Sequence, residues 1–349
     1  MLRLACAAVI VVQAWLSGSA CASGKDGQTR VAEIKVNIYH KEKKGGDGRV
    51  EDRRDIPLAP TPFAAVVDKL LKKRCVPDEY LAARYADIFF FRNPGTLGVA
   101  PAQEAQLTAA LMSQDGAAAL EFTAPLRKAP ELQPRLAANL VALHVWGRTG
   151  QSLLTREAEA LFADLESGHS AMTAPLKADY AYMRSLAALE TQDRGKALKY
   201  AEEALAAEPN FFNAHVIRVA ILVESAERAL LRGDGACSDA YGKLAGALGE
   251  VMDFAPCGLQ AAHLARYLRS QQSAPDQHQS LLLTEAALAV ISQQTPAFLN
   301  KREKLLKNAN RQSECGSFIL NNLTDLETRA ALGGSRSGGF INVPILEKK

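Results

Sequence analysis

The chain is poor in the residues that build catalytic and metal centres. Its 349 residues hold two Trp, six His and six Cys, and aromatic side chains make up 6% of it. No C-x-x-C or H-E-x-x-H occurs, and His40, His144, His169, His215, His263 and His278 are never spaced four apart. The zinc sites that such spacings build are therefore not expected. Phosphate-cradling loops are missing too: Gly242-Lys243 is followed by Leu244, and Cys237 stands where a P-loop needs its first glycine. Gly242, Gly246 and Gly249 read instead as a face on which another helix packs closely. No G-x-S-x-G elbow is present for a serine nucleophile. The charge excess is small, a formal +3, which speaks against nucleic acid as a partner, since that role calls for a strongly basic stripe. The motifs imply no cofactor, no metal and no catalytic residue.

Long apolar runs are equally scarce. The one that exists, Leu4 to Leu16, follows Arg3 and leads to Ala20-Cys21-Ala22, the A-x-A shape of a signal-peptidase site. It falls short of the roughly 20 apolar residues a bilayer-spanning helix needs. Residues 1–22 are thus expected to be a cleaved signal peptide and the protein to be periplasmic or secreted, with no transmembrane segment. A lipid anchor at Cys21 is the minor alternative, because small residues precede that Cys but Gly18 stands where a lipobox has Leu.

With Cys6 and Cys21 in the signal, Cys75, Cys237, Cys257 and Cys315 remain, an even number that an oxidising compartment would allow to pair. If Ser238 to Phe254 is one helix, it holds Cys237 and Cys257 too far apart for a bond. Up-down alternation of the helices puts Cys237 and Cys315 at the same end of a stack. That bridge and buried free thiols both remain open.

What is abundant points to helix. Ala, Leu, Glu, Lys and Arg dominate the middle of the chain. Only Arg30 to His40 alternates like a strand, with Ile34, Val36 and Ile38 on one side. A charged run around Gly45-Gly46-Asp47-Gly48 follows, so residues 23–60 are expected as an extended arm or hairpin. Three prolines at Pro57, Pro60 and Pro62 end it. From there, amphipathic segments succeed one another with short breaks to about residue 312, which calls for adjacent antiparallel helices. Phe89-Phe90-Phe91 is expected to close a buried helix end. Residues 313–349 are expected as a flexible tail: Gly333 to Gly339 reads as a linker, leading to an apolar end, Phe340 to Leu346, able to add as a strand to Ile34, Val36 and Ile38 or to a partner's sheet.

The clearest stretch is Ala178 to Phe212, two helical segments hinged at Thr191 to Gly195 and closed by Pro209. In its second half Ala197, Ala201, Ala204 and Leu205 share one face. Counted back from Pro209, Ala204 and Ala197 fall where tetratricopeptide repeats carry small residues at the helix contact, and the chain resembles that family here. It departs from the family at Ala181, Ser185, Ala188 and Ala201, where a Trp, a Gly, a Tyr and an aromatic are usual. Weaker echoes lie at Leu140 to Glu166 and at Ser280 to Leu305.

The resemblance implies an all-α fold of antiparallel helix pairs stacked as an α-solenoid, with short extended segments at both termini. It also implies protein binding: a scaffold or adaptor, in cell-envelope assembly or secretion, holding another protein or peptide in a groove. The first helices of the pairs would line that groove through Tyr180, Arg184, Ala187, Asn213 and Arg218. A self-assembling structural component and, further off, a helical enzyme acting on cell-wall glycans are the alternatives.

Overall fold

The computed structural model describes residues 60–71, 99–113, 115–232, 236–253, 258–272, 274–309 and 313–335. The signal segment, the arm up to residue 59, Cys75, Cys257, the Phe89 to Phe91 run and the tail beyond residue 335 lie outside the described residues. Among those described there are thirteen α-helices and no strand. In chain order they are α1 (Pro62–Leu70), α2 (Pro101–Met112), α3 (Gly116–Thr123), α4 (Leu132–Thr149), α5 (Arg156–Ser167), α6 (Ala174–Glu190) and α7 (Arg194–Ala207). Then follow α8 (Phe212–Arg232), α9 (Cys237–Asp253), α10 (Gly258–Ser270), α11 (Gln279–Ile291), α12 (Thr295–Asn308) and α13 (Glu314–Ser335). The fold is all-α, each helix packs against its neighbours, and this is compatible with a helical repeat. None of the helices described is long and apolar enough to cross a membrane.

Two helices have no polar face. In α4 every residue from Leu136 to Trp146 is buried, and in α11 every residue from Ser280 to Ile291. A helix apolar all round must be enclosed by others. Around α4 lie α3, α5 and α6; around α11 lie α1, α8, α9, α10, α12 and α13. Each gathers its own apolar cluster. Between the two clusters runs a seam rich in alanine: Ala178, Ala181 and Ala188 of α6, Ala197, Ala201 and Ala204 of α7, and Ala214 of α8, with Ile217 and Ile221 of α8 packed on it. The alanines let the backbones approach closely enough for Ser185 Oγ on α6 to donate to the Ala197 carbonyl of α7 at 2.8 Å.

Three helix pairs, α2–α3, α6–α7 and α11–α12, meet at junctions that share a sequence: Ser113-Gln114-Asp115, Thr191-Gln192-Asp193 and Ser292-Gln293-Gln294. Gln192 and Gln293 take the left-handed conformation, φ 60° and 56°, which residues other than Gly seldom adopt. In both, the next amide donates back to the first helix, Asp193 N to Ala188 O at 3.0 Å and Gln294 N to Ala289 O at 2.8 Å. This is the six-to-one bond of a Schellman end, and Asp115 N repeats it to Ala110 O at 2.9 Å. Asp115 and Asp193 then cap the second helix, each accepting from the amide three residues on at 3.0 Å. At the α6–α7 junction Gln192 thus closes one helix and Asp193 opens its partner.

The tail expected from residue 313 differs from what is observed, because Glu314–Ser335 forms α13. Cys315, Ile319, Asn322, Leu323 and Leu326 recur at helical spacing and are all buried, making a stripe that docks on α11, α1, α9 and α12. Cys315, in the first turn of α13, forms a disulfide with Cys237, the first residue of α9, with their Cα atoms 5.6 Å apart. The glycine face read on α9 is also corrected. A Cβ at Gly249 would meet Val66 of α1 at 3.3 Å, whereas one at Gly242 or Gly246 would have nothing within 4 Å. Only Gly249 marks a close approach.

Candidate functional site

The residues expected to line a groove separate into two sets. Tyr180 and Arg184 stand four apart on α6 and so share a face. On the two flanking helices, α5 supplies Phe162 and Glu166 and α7 supplies Tyr200. The side chain of Thr155 accepts from Ala158 N at 3.2 Å to start α5, and Asp193 starts α7 in the same way, so both partners are set in register by their caps. The Arg184 guanidinium donates to the Tyr180 hydroxyl at 3.0 Å and to the Tyr200 hydroxyl at 2.8 Å. Its central carbon lies 5.0 Å from the Tyr200 ring centre, 5.7 Å from Phe162 and 5.8 Å from Tyr180. Three rings thus surround one cation, the geometry of a cation–π cage. Tyr180 donates to the Glu166 carboxylate, and burial first, then that hydrogen bond, pushes the phenol's pKa up. Glu166 keeps 66% of its side chain exposed and is where the cluster meets solvent. Ala187 is half-buried, packed beside the first apolar cluster.

The second set is on α8. Arg218, with 17% of its side chain exposed, pairs with Glu250 of α9 at 2.7 Å, and this hydrogen bond holds the Glu250 carboxyl below its ordinary pKa. Asn213 lies half-buried in the first turn. Thus Arg184 reaches toward α5 and α7 while Arg218 reaches toward α9.

His215, one turn from Arg218 and 4% exposed, has its Nε2 2.8 Å from the Pro209 carbonyl. Burial lowers its pKa from 6.5, outweighing the Pro209 carbonyl, and Arg218 lowers it further. The unfolded chain therefore takes up this proton first as pH falls. Stability should drop from about pH 7.5 downward until the folded imidazole also protonates, by at most about 1.4 kcal/mol per pH unit. His215→Gln should flatten that part of the urea-midpoint profile between pH 7.5 and 5. A variant profile parallel to wild type would remove His215 from the account.

A third set lies between α4 and α6. His144 Nε2 is 3.0 Å from Asp179 Oδ1, with 3% and 0% of the side chains exposed. Tyr182 stacks on the His144 ring at 6.0 Å and meets Phe211 at 5.0 Å, so the layer runs from α4 across α6 to the residue before α8. Besides these sets, a shallow cleft of about 410 Å³ is lined by Val99, Gln103, Ala118, Glu121, Phe122 and Leu126. Among the described residues no three His, Cys, Asp or Glu side chains gather as a metal-ligating group.

Sequence reading singled out Tyr180, Arg184 and Arg218 but missed the Phe162, Glu166 and Tyr200 that meet the first two, the Glu250 that pairs with the third, and the separate His144–Asp179 pair. The i, i+4 placement of Tyr180 and Arg184 was a usable signal. The three Ser/Thr-Gln-Asp/Gln junctions were another. Partners across helices left none. Set against protein-family models, curated proteins and solved structures, the chain has no match.

Proposed function

We propose that the chain is an exported adaptor of tetratricopeptide-like construction, an α-solenoid of degenerate repeats that holds a peptide or helix of another protein without catalysing a reaction. One observation carries this reading. The same junction, left-handed Gln and six-to-one bond included, joins α6 to α7 and α11 to α12. A helix pair built repeatedly to one pattern is the unit of a stacked array, because a single pair cannot bury its own apolar face. The buried alanine stripe of α7 occupies the small-residue positions of the family it resembles.

The compartment reading rests on two features. Residues 1–22 have the form of an export signal, and the Cys237–Cys315 disulfide is of the kind that persists in the periplasm or outside the cell and is rare in the cytosol. Envelope assembly or secretion is the setting these features suit. In the proposed groove Ala187 and Asn213 are half-buried and small enough to admit a partner backbone, while Tyr180, Arg184 and Arg218 give it shape and charge through their pairings.

A photo-crosslinking residue placed at Ala187 or Asn213, with Lys243 on α9 as control, tests this in the exported fraction. Adducts to one foreign protein from 187 and 213, absent from 243, are expected. Adducts only to further copies of the chain would favour the self-assembling component. No adduct, or the same adducts from all three positions, would reject the groove.

A further inference from the structure

Helix α1 is held by parts of the chain far from it in sequence. Its helix contacts are with α9, α11 and α13, and Phe63, Val67 and Leu70 are its buried face. Its N-terminus has no cap of its own, since the Thr61 side chain makes no capping bond and Pro62 brings no amide hydrogen. The cap comes from α13. Thr61 N donates to Asp325 Oδ2 at 3.0 Å and Phe63 N to Asn322 Oδ1 at 3.3 Å. Asn322 is fully buried, and its own amide is tied back to the Phe318 carbonyl at 2.9 Å. Arg329 of α13 then forks onto Asp68 of α1, Nε to Oδ1 at 3.1 Å and Nη2 to Oδ2 at 2.9 Å, a bidentate pair of the more durable kind. A helix of nine residues is marginal in water without such help.

What holds α13 at its start is the disulfide. Cys315 in its first turn joins Cys237 at the start of α9, closing a separation of 78 residues, and both sulfurs belong to residues no more than 2% exposed. The ring contacts Phe63–Tyr241 at 6.5 Å and Tyr241–Phe318 at 5.6 Å lie between the same three helices. The bond therefore fastens the element that caps and pairs α1, and its two cysteines belong to the apolar cluster around α11, not to the one around α4.

We infer that the Cys237–Cys315 disulfide is a redox clasp that governs docking of α1 through α13. Oxidised, the clasp keeps the Asn322, Asp325 and Arg329 side chains in place over α1. On reduction a dithiol gives two electrons and two protons, the S–S bond becomes two thiols, and the dithiol becomes a cyclic disulfide. The start of α13 is then freed and α1 loses its cap and its ion pair. The inference rests on these contacts alone and stands whether or not the chain is an adaptor.

Amide hydrogen exchange on the full chain tests it, comparing the oxidised protein with the protein reduced by dithiothreitol and with Cys237→Ala/Cys315→Ala, thiol content being titrated in each. Exchange of α1 and α13 should quicken at least about tenfold, the loss of one cap and one pair, while α4 to α7 keep their protection. Asn322→Ala with the disulfide intact should quicken α1 and spare Cys315's turn of α13. Unchanged exchange in α1 once both thiols are free overturns the clasp. Equal loss throughout the chain also overturns it, making the disulfide a general staple.

Discussion

Asp179→Ala is expected to cost about 1–3 kcal/mol of folding stability for the buried hydrogen bond left unmet, before any cavity is counted. The Asp179 side chain is wholly buried and that of His144 is 3% exposed, so the abandoned imidazole nitrogen cannot turn to water. A cavity is added to the unmet hydrogen bond, since α4 and α6 pack closely there. Asp179→Asn keeps the volume and one carbonyl acceptor and should lose less. In a double-mutant cycle, His144→Ala with Asp179→Ala should cost clearly less than the sum of the single losses. Urea denaturation reads all four proteins, and a loss under about 1 kcal/mol in Asp179→Ala would mean that the pair does not fasten α4 to α6. More than stability is at stake. Asp179 precedes Tyr180, a rotation of about 100° on a helix, so fixing Asp179 against α4 turns Tyr180 and Arg184 toward α5 and α7. Removing the pair should loosen the aromatic cage around Arg184 as well.

The parts of this fold legible in the sequence are those with a two-sided pattern. Ala197, Ala201 and Ala204 read as one apolar face and are fully buried, because a helix lying between a core and solvent writes its orientation into a 3.6-residue period. That rule fails at the two extremes. Leu281 to Leu283 and Ala286 to Ile291 place α11 but give it no orientation, since a helix enclosed on all sides has no polar stripe to read. Glu285 sits inside the same run, 5% exposed, because Lys301 at 2.7 Å and Arg269 at 3.3 Å neutralise it from neighbouring helices. At the other extreme α13 reads as a fading tail, since Asn322 interrupts its stripe and Gly333-Gly334 suggest a linker. Asn322 is polar at a core position because its acceptor is spent on the amide of Phe63, 259 positions away. The candidate site divides in the same way. Tyr180 and Arg184 are one local pair and could be read together, while Phe162, Glu166 and Tyr200 are joined to them only by tertiary packing. Nothing in one strand of sequence records a neighbour on another helix.

The second large effect is expected at α11. Leu282→Ala should cost about 2–5 kcal/mol, the transfer energy of the lost side chain plus that of the cavity left behind. Leu282 is fully buried, and its helix is ringed by six others, so no single neighbour can close the space by a small shift. The reach of the damage is the more telling result. In an open stack each unit touches only the units beside it, so a lesion in α11 would loosen α10 and α12 and leave the rest intact. Here α11 also touches α1, α8, α9 and α13, and α1 enters the chain more than two hundred residues earlier. Amide exchange in Leu282→Ala should therefore quicken in α1 and α13 along with α10 and α12, while α3 to α5, which gather on α4, keep their protection. Exchange confined to α10 and α12 would make this end of the molecule an ordinary stack with α1 lying loosely on its side. The expected pattern makes it instead a closed bundle around α11, in which a lesion at the central helix is felt by every helix packed on it.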